Sequence, residues 1–281
     1  GISNGTEGGN YSSHPSVITD NDGSPIIIWS DGPIDTKHYI YIKKWNGVSW
    51  VDYHINSSSG IGTGGYSNNS AVPTTMFPDE NGYPVISWHY NGTQGHKIFG
   101  FRWLNEAWSR MGRSMDGDGI FGPVGSSFSP SIIVDGSGVP IIAFSNDASG
   151  QYNICVSRYE GGLSWSFMGP TCSTINYGIS DCSSYCTSTD PDIALNACDN
   201  PIVVWSSGTE IWLKYWTGTE WNEMGNGSAT GAGISNTGQS MSHVSKLPKI
   251  VVDQNGIPII AWEEFTPYDN HYIYVKSFQV E

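Results

Sequence analysis

The chain has 281 residues, only 14% of them charged, and its 26 acidic against 12 basic side chains leave a net charge of −14. A surface this anionic excludes nucleic acid as a partner, because phosphates call for Lys and Arg, and it disfavours anionic membranes. No apolar stretch approaches the ~20 residues that cross a bilayer, so no membrane insertion is expected.

Gly-Ile opens five similar stretches, at Gly1, Gly60, Gly119, Gly178 and Gly233, in steps of 59, 59, 59 and 55 residues. Self-similarity at a long, nearly fixed period marks one supersecondary unit copied in tandem. The units run approximately 1–59, 60–118, 119–177, 178–232 and 233–281. No linker-like composition divides them, and a single domain over residues 1–281 is expected.

Within each unit the same landmarks follow in order. A first apolar run follows Pro15, Pro73, Pro130, Pro191 or Pro248. A D-x-x-G-x-P turn comes next, complete at Asp20, Asp79, Asp135 and Asp253; unit four has Asn196 and Asp199 before Pro201 instead. Asp and Asn bond to nearby backbone and Gly tolerates positive φ, so this is hairpin chemistry. The second run ends in Trp29, Trp88, Phe144, Trp205 or Trp262. A third follows, as in YIYIKKW from Tyr39, and a fourth opens at Trp50, Trp108, Trp165 or Trp221. The runs are short, β-branched and aromatic, with no helical stripe. Four strands per unit, repeated radially, predict an all-β fold: a five-bladed β-propeller of four-stranded antiparallel blades, with aromatics filling the space between them.

Unit five has no counterpart of the Trp50 strand, so the last blade is expected to lack its outer strand. The run from Tyr272 to Phe278 then presents an unpaired edge. Three outcomes are open for it. It is solvated, with Lys276 and Glu281 discouraging association; residues 4–11 fold over it; or a partner adds a strand, including self-association through this edge.

Cys172, just ahead of unit four, crowds together with Cys182, Cys186 and Cys198 within it, and two disulfides among the four are expected, in any of three pairings. Cys155, at an apolar third-strand position, is expected to be a buried free thiol. Cys182-x-x-x-Cys186 lacks a nearby His and fits no zinc spacing. Disulfides imply an oxidising exterior, hence a secreted or cell-surface protein. Sequons at Asn4, Asn10, Asn56, Asn68, Asn91 and Asn226 are glycosylation candidates on that reading.

In a propeller, the loops leading from one blade to the next share a face with the second-to-third strand loops. That face would gather Asp31, His38, His89, Tyr90, Asn146, Glu263 and Glu264, together with Tyr11, Tyr66 and Tyr177. Polar groups beside exposed aromatics suit sugars, and loops on a rigid scaffold commonly carry function. The Gly-Ile pairs either form five shallow sites or plug the blade junctions; the plug is expected, with Gly allowing a tight path. The acidic runs Asp20-Asn21-Asp22-Gly23 and Asp116-Gly117-Asp118-Gly119 are calcium candidates, although neither completes an EF-hand loop, and no other cofactor is expected.

Nothing in the sequence ties Asp31, Glu263 and Glu264 into the carboxylate pair a glycosidase needs. Arginines are confined to Arg102, Arg110, Arg113 and Arg158, and there is no G-x-S-x-G, H-E-x-x-H or phosphate loop. No catalytic residue is assigned and a non-enzyme is expected.

The stretch PSVITDNDGSPIIIW from Pro15 to Trp29, followed by IYIKKWNGVSW from Ile40 to Trp50, resembles blades of secreted and cell-surface propeller proteins of microbes. Some relatives with such blades are lectins. The resemblance spans nearly the whole chain, rests on strand and turn positions, and lacks the sialidase Asp-box S-x-D-x-G-x-x-W. The expectation is therefore an extracellular, non-catalytic, lectin-like module for a glycan or surface-protein ligand. The alternatives are a structural subunit of a cell-surface or extracellular assembly, using the last blade's edge, and a glycoside-active enzyme.

Overall fold

The computed structural model describes residues 2, 10–33, 39–53, 71–92, 95–113, 119–121, 125–173, 175–181, 187–237, 243–266 and 270–278, and it leaves out the side chains of residues 10, 11, 33, 71–74, 91 and 92. Among the described residues there are nineteen strands and no helix. Blade one is β1 (Asn10–Thr19), β2 (Pro25–Pro33), β3 (Tyr39–Trp45) and β4 (Trp50–Asp52). Blade two is β5 (Ala71–Pro78), β6 (Pro84–Gly92), β7 (Gly95–Leu104) and β8 (Ala107–Arg110). Blade three is β9 (Ser127–Val134), β10 (Pro140–Asn146), β11 (Asn153–Gly161) and β12 (Ser164–Phe167). Blade four is β13 (Ser188–Leu195), β14 (Pro201–Ser207), β15 (Glu210–Trp216) and β16 (Trp221–Glu223). Blade five has three strands, β17 (Val244–Val252), β18 (Pro258–Phe265) and β19 (His271–Ser277). Every sheet is a meander in which chain neighbours pair. This is the five-bladed β-propeller that the repeat predicts, its last blade one strand short.

The chain packs as two compact units, one of Gly1–Pro140 with Tyr159–Trp165, the other of Ile141–Arg158 with Ser166–Glu281. In the first, Ile28, Ile40, Ile42, Ile86 and Trp88 sit in one buried cluster; in the second, Ile202, Val204, Ile211, Leu213 and Ile260 do the same. Aromatic cross-strand pairs brace the blades: Trp29 stacks on Tyr41 at 5.7 Å and Trp262 on Tyr274 at 5.8 Å between ring centroids. Such pairs add about 0.5–1.5 kcal/mol beyond the area they bury.

The repeated turn works through its first side chain. Asp135 Oδ1 accepts the Ser137 and Val139 amides, both at 2.9 Å, and Asp253 Oδ1 those of Asn255 and Ile257, both at 2.8 Å. In blade four Asn196 Oδ1 does the same for Cys198 and Asn200, and Asp199, at φ +63°, occupies the place glycine holds elsewhere. The bonds from Ile257 and Asn255 hold the Asp253 carboxyl below its ordinary value of 3.8, against the effect of burial. A depressed folded-state value stabilises the fold above the unfolded value, and that contribution is lost as pH falls through the folded one. Asp253→Asn should therefore melt somewhat below the parent at neutral pH, with the gap closing below about pH 4, as thermal melts across that range would show.

A second recurrent device sits in the first strands. His14, Ser129, Asp190 and Leu247 each precede a proline and take φ of +52°, +46°, +53° and +52°. Register slips between Ser13 and Ser16, Thr189 and Asp192, and Lys246 and Lys249 mark these places as β-bulges. Bulges of this kind re-aim a strand and raise its twist.

Three of the Gly-Ile pairs are plugs among the described residues. Ile120, Ile179 and Ile234 are buried, and their amides donate to the carbonyls of Ile98 (2.9 Å), Ile154 (2.8 Å) and Ile211 (2.7 Å) in the preceding blade. Ser180 and Ser235 complete the clamp by accepting the Ile154 and Ile211 amides at 3.0 and 2.9 Å. Gly1, Gly60 and Ile61 lie outside the described residues.

The cysteine expectation needs correction. Cys155 is not a free thiol: it is disulfide-bonded to Cys172, with Cα atoms 5.9 Å apart. The reason lies in the register. Cys155 stands opposite Phe144, where the other blades set Tyr41, Phe99, Trp212 and Tyr274 opposite a Trp. A small side chain there leaves room for Cys172 to enter. Cys198 is free and exposed, and Cys182 and Cys186 lie outside the described residues.

Candidate functional site

In the first unit Asp31 is buried at the end of β2; burial, then Asp31, then Tyr39 push the Tyr41 hydroxyl's pKa up. His89 is buried too, and burial, then His96 and His14, push its pKa down to about 3. Its Nδ1 accepts the Ser129 amide at 3.3 Å, which leaves the proton of this neutral ring on Nε2. His96 packs edge-on against His89 at 5.3 Å. Tyr90 is buried beside Phe99. In the second unit Asn146 is buried, its Oδ1 accepting the Ala148 amide at 2.9 Å. Glu263 lies 2.7 Å from His271, and Glu264 is buried opposite Ser245. His38, Tyr66, Asn4, Asn56, Asn68 and residues 116–118 lie outside the described residues, as do the side chains of Asn10, Tyr11 and Asn91; Asn226 is exposed. The Asp20 carboxylate is engaged by its own turn and strand: Oδ1 takes the Asp22 and Ser24 amides and Oδ2 pairs with Lys44.

Tyr177 belongs to a different arrangement, one the sequence did not disclose. Two adjoining cavities of about 660 and 560 Å³ lie on the outer part of blade four in the second unit, and Asp181, Lys214 and Trp221 line both. Tyr177 and Glu220 line the first, Trp205, Trp212 and Glu223 the second. The wall of residues 171–173 and 175–181 is fixed at three points. Cys172 is tied to β11 by the disulfide, Gly178 bonds to the Thr171 carbonyl at 3.4 Å, and Ile179 to that of Ile154. The floor is as firm: the Trp221 indole donates to the Met168 carbonyl at 2.6 Å, and the bare Cα of Gly169 makes room for its ring.

The charges are arranged around one cation. Lys214 Nζ donates to the Ile179 carbonyl at 2.8 Å. Burial lowers its pKa, while Asp181 and Glu223 pull it back up. Burial alone would raise the Glu223 carboxyl, but bonds from Thr230, Ala229 and Gly227 outweigh it and keep the group ionised. Ala229 N lies 2.8 Å from Glu223 Oε1. The groove thus offers indole and phenol rings, an anchored carboxylate, a second carboxylate and a lysine. Lys214 looks in sequence like an ordinary third-strand Lys, matching Lys43 and Lys276; it is partly buried, as Lys43 is, whereas Lys276 is exposed. The density of Trp205, Trp212, Trp216 and Trp221 in unit four was the one legible signal.

No family model matches the sequence, and no curated protein matches it either. Solved structures do share the fold. A protein of unknown function from Dyadobacter fermentans matches with a TM-score of 0.60 at 8% identity, over 97% of this chain and 83% of that one. The Hadza microbial sialidase Hz136 matches at 0.58 and 12% identity, over 95% of this chain and 56% of its own, so the chain spans about half of that enzyme. An endo-arabinase from Bacteroides thetaiotaomicron matches at 0.50 and 12%, over 95% and 94%. The chain thus has the fold of microbial β-propeller proteins. The expectation of a non-enzyme is overturned, since propellers of this build include a sialidase and an endo-arabinase. A site assembled from separate strands leaves no short motif, so missing motifs carried no weight against catalysis.

Proposed function

We propose that this protein is a carbohydrate-active propeller of an extracellular compartment, which holds a glycan in the blade-four groove and cleaves it there. The observation that carries the reading is the placement of Asp181 and Glu223 about Lys214, beside the indole of Trp221. Aromatic faces take the apolar face of a sugar ring, and a few convergent polar groups fix its hydroxyls. Two carboxyl groups flanking the scissile bond are the usual requirement for glycoside hydrolysis. Glu223, held ionised, suits the base or stabilising role, and Lys214 suits binding a hydroxyl or moving a proton. The net charge of −14 favours a neutral glycan over a polyanionic one. The disulfide fits the extracellular setting.

Incubation with a panel of neutral polysaccharides, followed by assay of new reducing ends, tests this. The parent should release sugar, and Glu223→Gln and Asp181→Asn should each slow release by about 100-fold or more while melting normally. No release by the parent on any glycan would remove the cleavage reading. Release untouched by both substitutions would remove the groove as its site.

A further inference from the structure

The two cavities of the blade-four groove meet at three shared residues, Asp181, Lys214 and Trp221. Beyond this junction the first cavity continues along Asn176 and Tyr177, and the second along Trp212 and Asn222. Asn176 and Asn222 are exposed, so each cavity opens to solvent on its own side. A site for the end of a chain is closed beyond the reacting bond, whereas this groove has room in both directions.

The volumes set the scale. At about 660 and 560 Å³, each cavity lies inside the range of about 300–1,000 Å³ that holds a drug-sized ligand, or roughly two sugar rings. Each side also has a ring on which a sugar can stack, Tyr177 in the first and Trp212 in the second, with Trp221 between them. The Trp221 indole is held in place by its bond to Met168 and by Trp216, 5.5 Å away between ring centroids. An ammonium carries three donors, and among the described residues Lys214 gives one of them to Ile179. The others can meet a ligand that crosses the junction. Asp181, Glu220 and Glu223 outnumber this one cation, so a uronate or sulfated chain would be repelled.

On the reading that this groove cleaves a glycan, we infer that it takes an internal stretch of a neutral polysaccharide, about four rings long and threaded through both cavities. The bond to be broken lies over Lys214. Hydrolysis there breaks the bond from the anomeric carbon to the bridging oxygen; water gives its hydroxyl to that carbon and its proton to that oxygen. Both products are oligosaccharides, and no chain end is needed.

Calorimetric titration with linear xylo-, manno-, gluco- and arabino-oligosaccharides, from dimers to hexamers, is the test. It uses Asp181→Asn, which is slow to cleave and replaces an exposed side chain; Glu223→Gln repeats it should the first variant melt early. In the series that binds, affinity should rise about tenfold or more from dimer to tetramer, the worth of a ring stacked on an aromatic face, and level off beyond. Adding Tyr177→Ala should erase most of that rise, and Tyr177→Phe should keep it. The parent should convert the tetramer chiefly to dimers and the polymer to a spread of oligosaccharides. Equal affinity for dimer and hexamer, or release of single sugars from a chain end, overturns the inference and leaves cleavage in the groove standing. So does the absence of binding in every series when the parent still releases sugar. Affinity that grows with length and falls in Tyr177→Ala, without release from any substrate, does the reverse: it removes cleavage and upholds the threaded chain.

Discussion

Gly178→Ala should be among the most damaging single substitutions in this protein. Gly178 has φ +60°, and a Cβ there would overlap the Ile154 carbonyl oxygen and come within 2.8 Å of Cys172 Sγ. That carbonyl is the acceptor for Ile179, so neither the strand nor the plug can retreat without giving up a bond. Left-handed strain on a side chain costs about 1–3 kcal/mol, and overpacking adds about as much again. A loss of roughly 2–5 kcal/mol in a chain of this size lowers the melting temperature by about 5–15 °C. Gly208→Ala is the control: its φ is +62°, yet nothing lies within 4 Å of the added carbon, so it carries strain without collision. Scanning calorimetry should separate the two, and Gly178→Ala melting together with Gly208→Ala would refute the clamp. Trp221 reports on the consequence for function, because Gly178 and Trp221 line the same cavity. Its fluorescence should change in Gly178→Ala at temperatures where the fold is intact.

The elements were legible because the sequence states them five times. A turn such as Asp253 to Pro258 is written in local chemistry, and the carboxylate bonds found there are those the residue types require. The plug role of Ile179 and Ile234 followed from spacing plus the awkwardness of Ile as a sugar ligand. The groove was illegible for the opposite reason. Asp181, Lys214 and Glu223 lie in three different segments, and no periodic pattern links a loop, a third strand and a fourth. Cys155 misled because alignment assigned it an apolar role by position. Position could not say that losing an aromatic ring there opens space, and that the chain fills this space with a second sulfur. His89 shows the same limit: its low pKa comes from burial and from His96 and His14, neighbours that only the fold brings near.

Removing the Cys155–Cys172 disulfide should weaken both the fold and the groove, and the two effects can be read separately. Its partners are 17 residues apart, and closing a loop of that size removes unfolded-state entropy worth about 3 kcal/mol. Cys155→Ser with Cys172→Ser should therefore melt several degrees below the parent, and reductant should lower the melt of the parent by more than that of the double variant. The local effect falls on residues 171–181. Without the tie to β11 this wall keeps the Ile179 bond to Ile154 and the Ser180 bond to the Ile154 amide, but loses its anchor at the other end. Ile175, already 78% exposed, sits at the tip of that segment beside Tyr177. Chymotrypsin should then cut after Tyr177 in the reduced or doubly substituted protein and spare the oxidised parent. Cys198 supplies the internal contrast: exposed and free, it should react with a thiol reagent in the folded protein, and Cys198→Ser should leave the melt unchanged. A double variant that melts and resists chymotrypsin like the parent would show that the wall is held by its backbone bonds alone. The rigidity of the groove would then rest on the Gly178-Ile179-Ser180 clamp and not on sulfur.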